Sequence, residues 1–199
     1  MKNAATKLFR KLRGVAMVLA VSAGITAMPV LAASNGIYLA TATPHYRHPV
    51  TGTVEDSGGD GSAVLGQSMT ESATGRQALV EVDEDGTTYI TVRLKLMDNI
   101  SDPQFQVDGY AVNAELMQED YTYNTADYRM PAASEDSIIR CTMYVIPMGR
   151  NVIFYITVSD LQAGAGDFIT SVTVREPAPE QPTEPQQPAA EEPSYQPEE

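Results

Sequence analysis

The stretch that decides the fold runs from Ala78 to Leu96 and reads Ala-Leu-Val-Glu-Val-Asp-Glu-Asp-Gly-Thr-Thr-Tyr-Ile-Thr-Val-Arg-Leu-Lys-Leu. Two runs rich in β-branched residues flank an Asp-Glu-Asp-Gly turn, whose glycine can adopt the left-handed conformation of a four-residue turn. In the second run every even-numbered position from 90 to 96 is apolar, whereas Arg93 and Lys95 point outward. This alternation predicts an antiparallel hairpin with one buried face and one solvated face.

Further strand-like runs on both sides of this hairpin indicate a β-protein. The candidates are a second hairpin (Ser137–Ile146 and Asn151–Val158, around Pro147-Met-Gly-Arg150), a strand over Phe168–Val174, and weaker strands over 36–42, 105–107 and 110–116. Residues 159–162 predict a short helical turn, and between residues 35 and 175 no 3.6-residue periodicity extends over three turns. Short strands with regular turn signals are typical of an antiparallel sandwich or barrel.

The first 32 residues have the composition of a secretory signal peptide. Five Lys or Arg residues precede an apolar run over 15–27, and Val30-Leu-Ala32 places small residues at positions −3 and −1 of a cleavage site. The apolar run is shorter than the roughly 20 residues that a membrane-spanning helix needs. We therefore expect residues 1–32 to be removed, leaving no transmembrane segment in the mature chain.

The net charge is distributed unevenly along the chain. All 199 residues together carry −13, but the signal contributes only positive charge. Residues 176–199 hold seven prolines, seven glutamates and no Lys or Arg. Such a segment cannot bury enough apolar area to fold, which predicts a disordered tail or stalk. The remaining residues, 33–175, contain 8 Lys+Arg and 19 Asp+Glu and are long enough for one domain.

The composition excludes several classes of function. The acidic balance argues against a nucleic-acid-binding protein, because phosphate contacts are made by clustered Lys and Arg. The single cysteine, Cys141, rules out an internal disulfide framework and a Cys-based zinc site, and its place in a predicted strand indicates a core residue. Hydrolase Gly-x-Ser-x-Gly and calcium-loop motifs are absent. His45 and His48 are expected on a loop or edge strand, where lone histidines rarely act as ligands.

Two of the six methionines outside the signal stand at unusual places. Met69 lies in the polar segment Gly66-Gln-Ser-Met-Thr-Glu-Ser72, where we expect no helix or strand face, and Met148 lies at the tip of the second hairpin. Apolar side chains at such positions suggest that something covers them, although single exposed methionines are ordinary. A thioether is a soft, neutral ligand for haem iron, so this pair is able to clamp a flat cofactor. Of the other four, Met97 and Met143 are predicted to pack in the core, and Met117 and Met130 are predicted to lie in loops.

Seven short motifs, in order along the chain, carry a family resemblance. They are Tyr46-Arg-His-Pro-Val-Thr-Gly52, Val54-Glu-Asp-Ser-Gly-Gly59, Leu65-Gly-Gln-Ser-Met69, Ala78-Leu-Val-Glu-Val-Asp83, Thr91-Val-Arg-Leu-Lys-Leu96, Ser137-Ile-Ile-Arg140 and Pro147-Met-Gly-Arg-Asn-Val-Ile-Phe-Tyr155. These motifs closely resemble the Shp family of Gram-positive cell-surface haem-binding proteins. The resemblance covers nearly all of residues 33–175 and implies an all-β fold, an immunoglobulin-like antiparallel β-sandwich related to the NEAT haem-uptake domains.

The resemblance implies a haem carrier and not an enzyme. The cofactor would be haem b (iron protoporphyrin IX), with Met69 and Met148 as axial ligands, since the family ligates iron through a Gly-Gln-x-Met segment and a Pro-Met hairpin. The protein would accept haem from an upstream surface donor and relay it to a transporter's binding lipoprotein, as a secreted protein at the cell surface or cell wall. A haem-bridged dimer is compatible with this role. The excess acid predicts partners with a basic docking face.

Four further residues are candidates for the surroundings of the haem. Arg47 and Arg150 suit the propionates, and Tyr46 and Tyr155 suit stacking or hydrogen bonding, with ordinary surface solubility as the alternative interpretation. The chain departs from the expected pattern twice. Gly149 stands where a basic residue is expected, and no two tyrosines are four residues apart, as the Tyr-x-x-x-Tyr ligand motif of NEAT domains requires.

The sequence leaves two other classes of function open. A non-catalytic immunoglobulin-like adhesion or wall-binding module would bind no haem and would dock proteins on an exposed face. An enzyme acting through haem would need an open iron position. Addition of haemin to the purified protein separates these alternatives.

Overall fold

The computed structural model describes residues 33–174, which form nine strands and one α-helix. The strands are β1 (Gly36–His45), β2 (Thr74–Val82), β3 (Thr88–Lys95), β4 (Ile100–Val107), β5 (Tyr110–Val112), β6 (Glu115–Asp120), β7 (Thr125–Ala132), β8 (Ile139–Val145) and β9 (Arg150–Ala163), and the helix is α1 (Ala63–Ala73). The expected signal peptide and the expected tail lie outside the described residues. Over 33–174, no helix has both the length and the apolar character needed to cross a membrane.

The strands join into one antiparallel sheet in the order β5-β4-β8-β9-β1-β2-β3-β7-β6. This sheet curls back on itself. The rings of Phe105 on β4 and Tyr128 on β7 have centroids 5.3 Å apart, although five strands separate β4 from β7 in the sheet order. The two halves of the sheet therefore face each other across one core, as in a β-sandwich, and the expected all-β antiparallel fold is confirmed.

The hairpin predicted from residues 78–96 is present as β2 and β3. Its register pairs Val82 with Thr88 and Val80 with Ile90. The turn closes through the Thr87 N–H, which donates to Asp83 Oδ1 at 3.0 Å, and Gly86 has a φ of 86°, as a left-handed turn position requires. The apolar side chains of the hairpin are buried in the core. This confirms the prediction that the hairpin has one buried face.

The segment 164–174, here called the strap, lies across the outer face of this hairpin. The prediction of a strand over 168–174 is therefore wrong. Strands β2 and β3 are already paired on both sides, so the strap has no edge to join and covers the face instead. The Ser171 N–H donates to Glu81 Oε1 at 2.7 Å, and Arg93, which pairs with Asp167, lies 4.5 Å over the buried Phe168 ring. The face expected to be solvated is covered here, and Glu81 is 0% exposed.

Two further expectations about local structure are corrected. Met130 and Met117 lie on β7 and β6, not in loops, and Met130 is fully buried. The polar residues of β7 are typical of a loop in sequence, but one of them, Asp127, is buried in the strand by its ion pair with Arg93. Residues 159–162 form no helical turn, because β9 continues to Ala163 and pairs there with β1.

Candidate functional site

A largely apolar cavity of about 240 Å³ lies between helix α1 and the β8–β9 hairpin. Met69 contributes to one wall from α1, and Met148 contributes to another from the hairpin; each residue is 37% exposed. Apolar residues from five parts of the chain complete the lining: Leu65, Leu96, Ile100, Met143, Val145, Val152, Ile153 and Phe154. A concave, mostly apolar site with a few polar groups is the usual form of a cofactor pocket.

Helix α1 is the element that carries Met69, and the sequence does not reveal it. Its buried residues are Gly66, Thr70 and Ala73, spaced as one helical face. All three are small, whereas the large apolar residues Val64 and Leu65 are exposed. A search for periodic large apolar residues therefore finds no helix, and the expectation that Met69 lies outside any helix is wrong.

Two neighbouring residues fix helix α1 against the end of β1. Gly66 packs on the Tyr46 ring so closely that a Cβ there would lie 2.5 Å from two ring carbons. Gln67 accepts a hydrogen bond from the Tyr46 N–H at 2.9 Å and donates one to the Pro44 carbonyl at 2.9 Å. This is the physical role of the Gly-Gln pair that precedes Met69, since it sets the distance and rotation of the helix that presents the thioether.

The hairpin tip that carries Met148 is held in a tight 3₁₀ turn over Ile146–Met148. Pro147 restricts the first turn, and Gly149 closes it with a φ of 63°, donating its N–H to the Val145 carbonyl at 3.0 Å. This left-handed conformation strains a residue with a side chain. The glycine at position 149, in place of a basic residue, therefore suits the backbone of this turn.

An ion pair between the buried Asp56 and the half-buried Arg150 supports the polar end of the cavity. Asp56, whose side chain is 1% exposed, accepts hydrogen bonds from Arg150 Nη1 at 2.9 Å, from the Tyr46 hydroxyl at 3.0 Å, and from the N–H groups of Gly58 and Ile153. Burial alone would raise the pKa of Asp56, but these bonds outweigh it and lower the pKa. Burial and the bond to Asp56 raise the pKa of Tyr46, so its hydroxyl stays protonated.

Four of the six predicted site residues meet at this cavity, and two do not. Met69, Met148, Tyr46 and Arg150 line it, whereas Arg47 is exposed and pairs with Asp60 on the surface. Tyr155 points to the opposite face of β9 from Phe154. There it is 2% exposed and lines a second, polar cavity with Glu55 and Arg140. Burial, together with the negative charge of the nearby Glu55, raises the pKa of Tyr155 to about 12.

The two histidines also lie away from the methionine cavity. His45 ends β1, where its Nε2 lies 2.9 Å from Thr157 Oγ1 and burial lowers its pKa. His48 lies edge-on to Tyr155, with ring centroids 4.9 Å apart. Among residues 33–174, no group of three His, Cys, Asp or Glu side chains is placed to hold a metal ion.

Three residues with a role at the cavity are not apparent from sequence reasoning. In sequence, Asp56 is one of several acidic residues in a turn. Its contact with Arg150 is visible only in the fold. Gly66 and Leu96 are equally inconspicuous, although Leu96 lines the cavity in the left-handed conformation, with a φ of 60°. The one available signal is the order Gly-Gln-x-Met, which groups Gly66 with Met69.

The chemistry of the cavity fits haem. Two neutral thioethers on separate elements provide soft donors of the kind that bind haem iron. The apolar lining suits a porphyrin. Among the described residues that line the cavity, Arg150 is the one cation, and it stands at the polar end beside the Asp56 carboxylate. Cys141 offers no competing sulfur there, because it is fully buried in the core and burial raises the pKa of its thiol.

Two solved structures and one protein family are similar to this chain. The NEAT5 domain of IsdX2, a B. anthracis hemophore in complex with heme, shares 17% identity with this chain at a TM-score of 0.46, covering 63% of this chain and 97% of that one. A mutant of the same domain in complex with heme gives 16% identity and the same TM-score, covering 64% and 97%. No curated protein matches the chain in sequence. The profile of a family described as "Cell surface heme-binding protein Shp" matches residues 34–173, and the chain therefore belongs to this family of cell-surface haem-binding proteins, with haem as its ligand.

Proposed function

We propose that this protein is a non-catalytic extracellular carrier that accepts haem and passes it to a transporter's binding lipoprotein, with Met69 and Met148 as axial ligands of the iron. The observation that carries the proposal is that these two methionines, 79 positions apart in the chain, line one apolar cavity from two separate elements. Met69 is set by the docking of α1 on Tyr46, and Met148 by the turn at Gly149.

The donor set suits transport. Thioethers are neutral, so they stabilise ferrous iron more than a charged tyrosinate does, in line with the effect of methionine on haem potential. Two protein ligands also leave no coordination position for oxygen or peroxide, as a carrier requires. Both side chains are partly exposed, so an acceptor protein can approach them directly.

Arg150 is the residue we assign to a propionate. Each of its guanidinium hydrogen bonds to the described residues uses Nη1, which contacts Asp56, Ser57 and the Asn151 carbonyl. Its other guanidinium nitrogens are left to face a ligand, while Asp56 fixes the side chain in place. We assign Tyr46 to the support of α1. Arg47 and Tyr155 lie outside the cavity and receive no role in haem binding.

The remaining parts of the proposal concern location and partners. Residues 1–32 direct secretion and 176–199 act as a spacer, so the domain works outside the cell. The domain is strongly acidic, which favours donor and acceptor proteins with basic docking faces. The rate of association with the acceptor should fall steeply as salt is raised, and a rate independent of salt contradicts this part of the proposal.

Titration with haemin tests the central claim. The wild-type protein should form a stoichiometric complex with a six-coordinate, low-spin spectrum in the reduced state. Met69→Ala and Met148→Ala should each lose that spectrum, whereas Met117→Ala, on β6 and outside the cavity, should keep it. Unchanged spectra in both cavity variants refute the ligand assignment. Absence of any complex in the wild type refutes carriage and favours the adhesion or wall-binding alternative.

A further inference from the structure

The backbone nitrogen of Ala33 lies 3.0 Å from Oε1 of Glu135, in the connection between β7 and β8. Ala33 is also the residue that follows the cleavage site expected after Ala32. An internal peptide nitrogen carries one hydrogen and no charge. A chain that begins at Ala33 instead presents an α-ammonium group, with three N–H donors and a positive charge, at the same place.

Glu135 has an acceptor atom that the additional N–H donors could reach. Its second oxygen, Oε2, is buried, and no donor among residues 33–174 lies within hydrogen-bonding distance of it. A buried carboxylate oxygen without a partner destabilises the fold, and more strongly when the group is charged. The internal peptide group at Ala33 cannot remove this cost, because its single hydrogen already serves Oε1.

The segment around Ala33 is held in position by its neighbours. The Tyr38 hydroxyl folds back to donate to the Ser34 carbonyl at 3.0 Å, and Asn35 Nδ2 donates to the Val82 carbonyl at 2.8 Å. A Cβ at Gly36 would lie 2.8 Å from that Tyr38 hydroxyl, so the glycine allows the close approach. An amino group created at Ala33 would therefore stand beside Glu135 without further ordering of the chain.

We propose that cleavage between Ala32 and Ala33 creates an ion pair between the α-ammonium of Ala33 and the carboxylate of Glu135, and that this pair completes the folded domain. In the step, water adds across the Ala32–Ala33 peptide bond, releasing the leader with a C-terminal carboxylate and leaving the amine of Ala33, which is protonated at neutral pH. The cleaving enzyme belongs to the signal peptidase class. The inference rests on the proposed secretion and is independent of haem ligation.

The first test is the N-terminus of the secreted protein. The full chain, expressed with its own leader in a secreting bacterium and recovered from the medium, should begin at Ala33 by N-terminal sequencing and intact mass. A different first residue, or retention of the leader, overturns the proposal. Haemin titration of the same sample tests the ligand assignment separately, so either proposal can fail alone.

The second test measures the ion pair in two forms of the mature chain, released from a fusion partner so that they begin at Ala33 or at an added Gly-Ser before it. The added residues should lower the melting temperature by about 2–4 °C. They should have no such effect in a Glu135→Gln background, where the charge partner is gone. Asp136→Asn, a neighbouring exposed acid, should leave the difference unchanged. An equal loss in the wild-type and Glu135→Gln backgrounds overturns the ion pair.

Discussion

Gly66 lies against the ring of Tyr46 more closely than any residue with a side chain could, since an added Cβ would come within 2.5 Å of two ring carbons. The contact joins helix α1 to the end of strand β1 at the wall of the cavity. It makes the position of Met69, three residues later, depend on a side chain that need not touch a ligand.

Substitution of Gly66 by alanine should therefore disturb both the fold and the cavity. The new methyl group must push the helix away from Tyr46, so we expect the free energy of unfolding to fall by about 1–3 kcal/mol. The haem dissociation constant should rise because Met69 moves with the helix. Denaturant unfolding and haemin titration measure the two effects. Gly61→Ala is the matched control, since its Cβ would meet nothing within 4 Å, and equal behaviour of the two variants contradicts the prediction.

Asp56 should make the domain sensitive to acid. Its pKa in the folded protein is lowered, mainly because bonds from Arg150 and backbone N–H groups outweigh the cost of burial. The stability it contributes is fully present above its unfolded pKa of about 3.8 and is lost as pH falls through the lower, folded value. We expect Asp56→Asn to cost about 1–3 kcal/mol near neutral pH, with the difference from wild type shrinking below about pH 4. A difference that is constant from pH 7 to pH 2 contradicts this assignment.

Glu81 should hold the strap onto the sheet. One of its oxygens accepts the Ser171 N–H, and the other pairs with Arg129 Nε at 2.8 Å in a buried site. Glu81→Gln leaves Arg129 without its main partner and should cost about 3 kcal/mol. Amide hydrogen exchange at residues 171 and 172 should accelerate together with the loss of stability. The exposed turn residue Glu84, substituted by Gln, serves as the control, and unchanged exchange in Glu81→Gln contradicts the role assigned to Glu81.

Cys141 should be inert in the native protein. It is fully buried between neighbouring strands, and burial raises the pKa of its thiol, so the reactive thiolate is absent at neutral pH. A thiol reagent such as DTNB should react only as fast as the domain unfolds, and in one equivalent after addition of denaturant. Rapid labelling of the folded protein would show that the core around β8 opens locally.

The sequence predicts those strands in which large apolar side chains alternate with polar ones. The hairpin of β2 and β3 is visible because large apolar residues alternate with polar ones, and Gly86 marks its turn. Strand β7 escapes notice because Asp127 is buried there as an ion pair, and the pairing partner Arg93 lies 34 positions away. Helix α1 escapes because small residues form its buried face. Local patterns report burial only when large apolar side chains do the burying.

In the candidate site, too, the sequence predicts the residues that stand out locally but not those whose role depends on distant contacts. Met69 and Met148 stand out because large apolar residues at polar positions need a reason, and the structure places both at one cavity. The position of Tyr155 could not be predicted, since its side of β9 depends on which face of the sheet curls inward. The role of Asp56 could not be predicted either, because it depends on the ion pair with Arg150, 94 positions later in the chain.

The strap has a mechanical consequence. Because the chain passes from β9 through the strap before it leaves the described domain, a pulling force applied beyond Val174 reaches the Ser171–Glu81 and Asp167–Arg93 contacts first. These contacts would have to peel away before tension loaded strand β9 itself. Helix α1 and the turn that carries Met148 lie outside the strap, so the strap contacts would take up such a force before it reached the cavity.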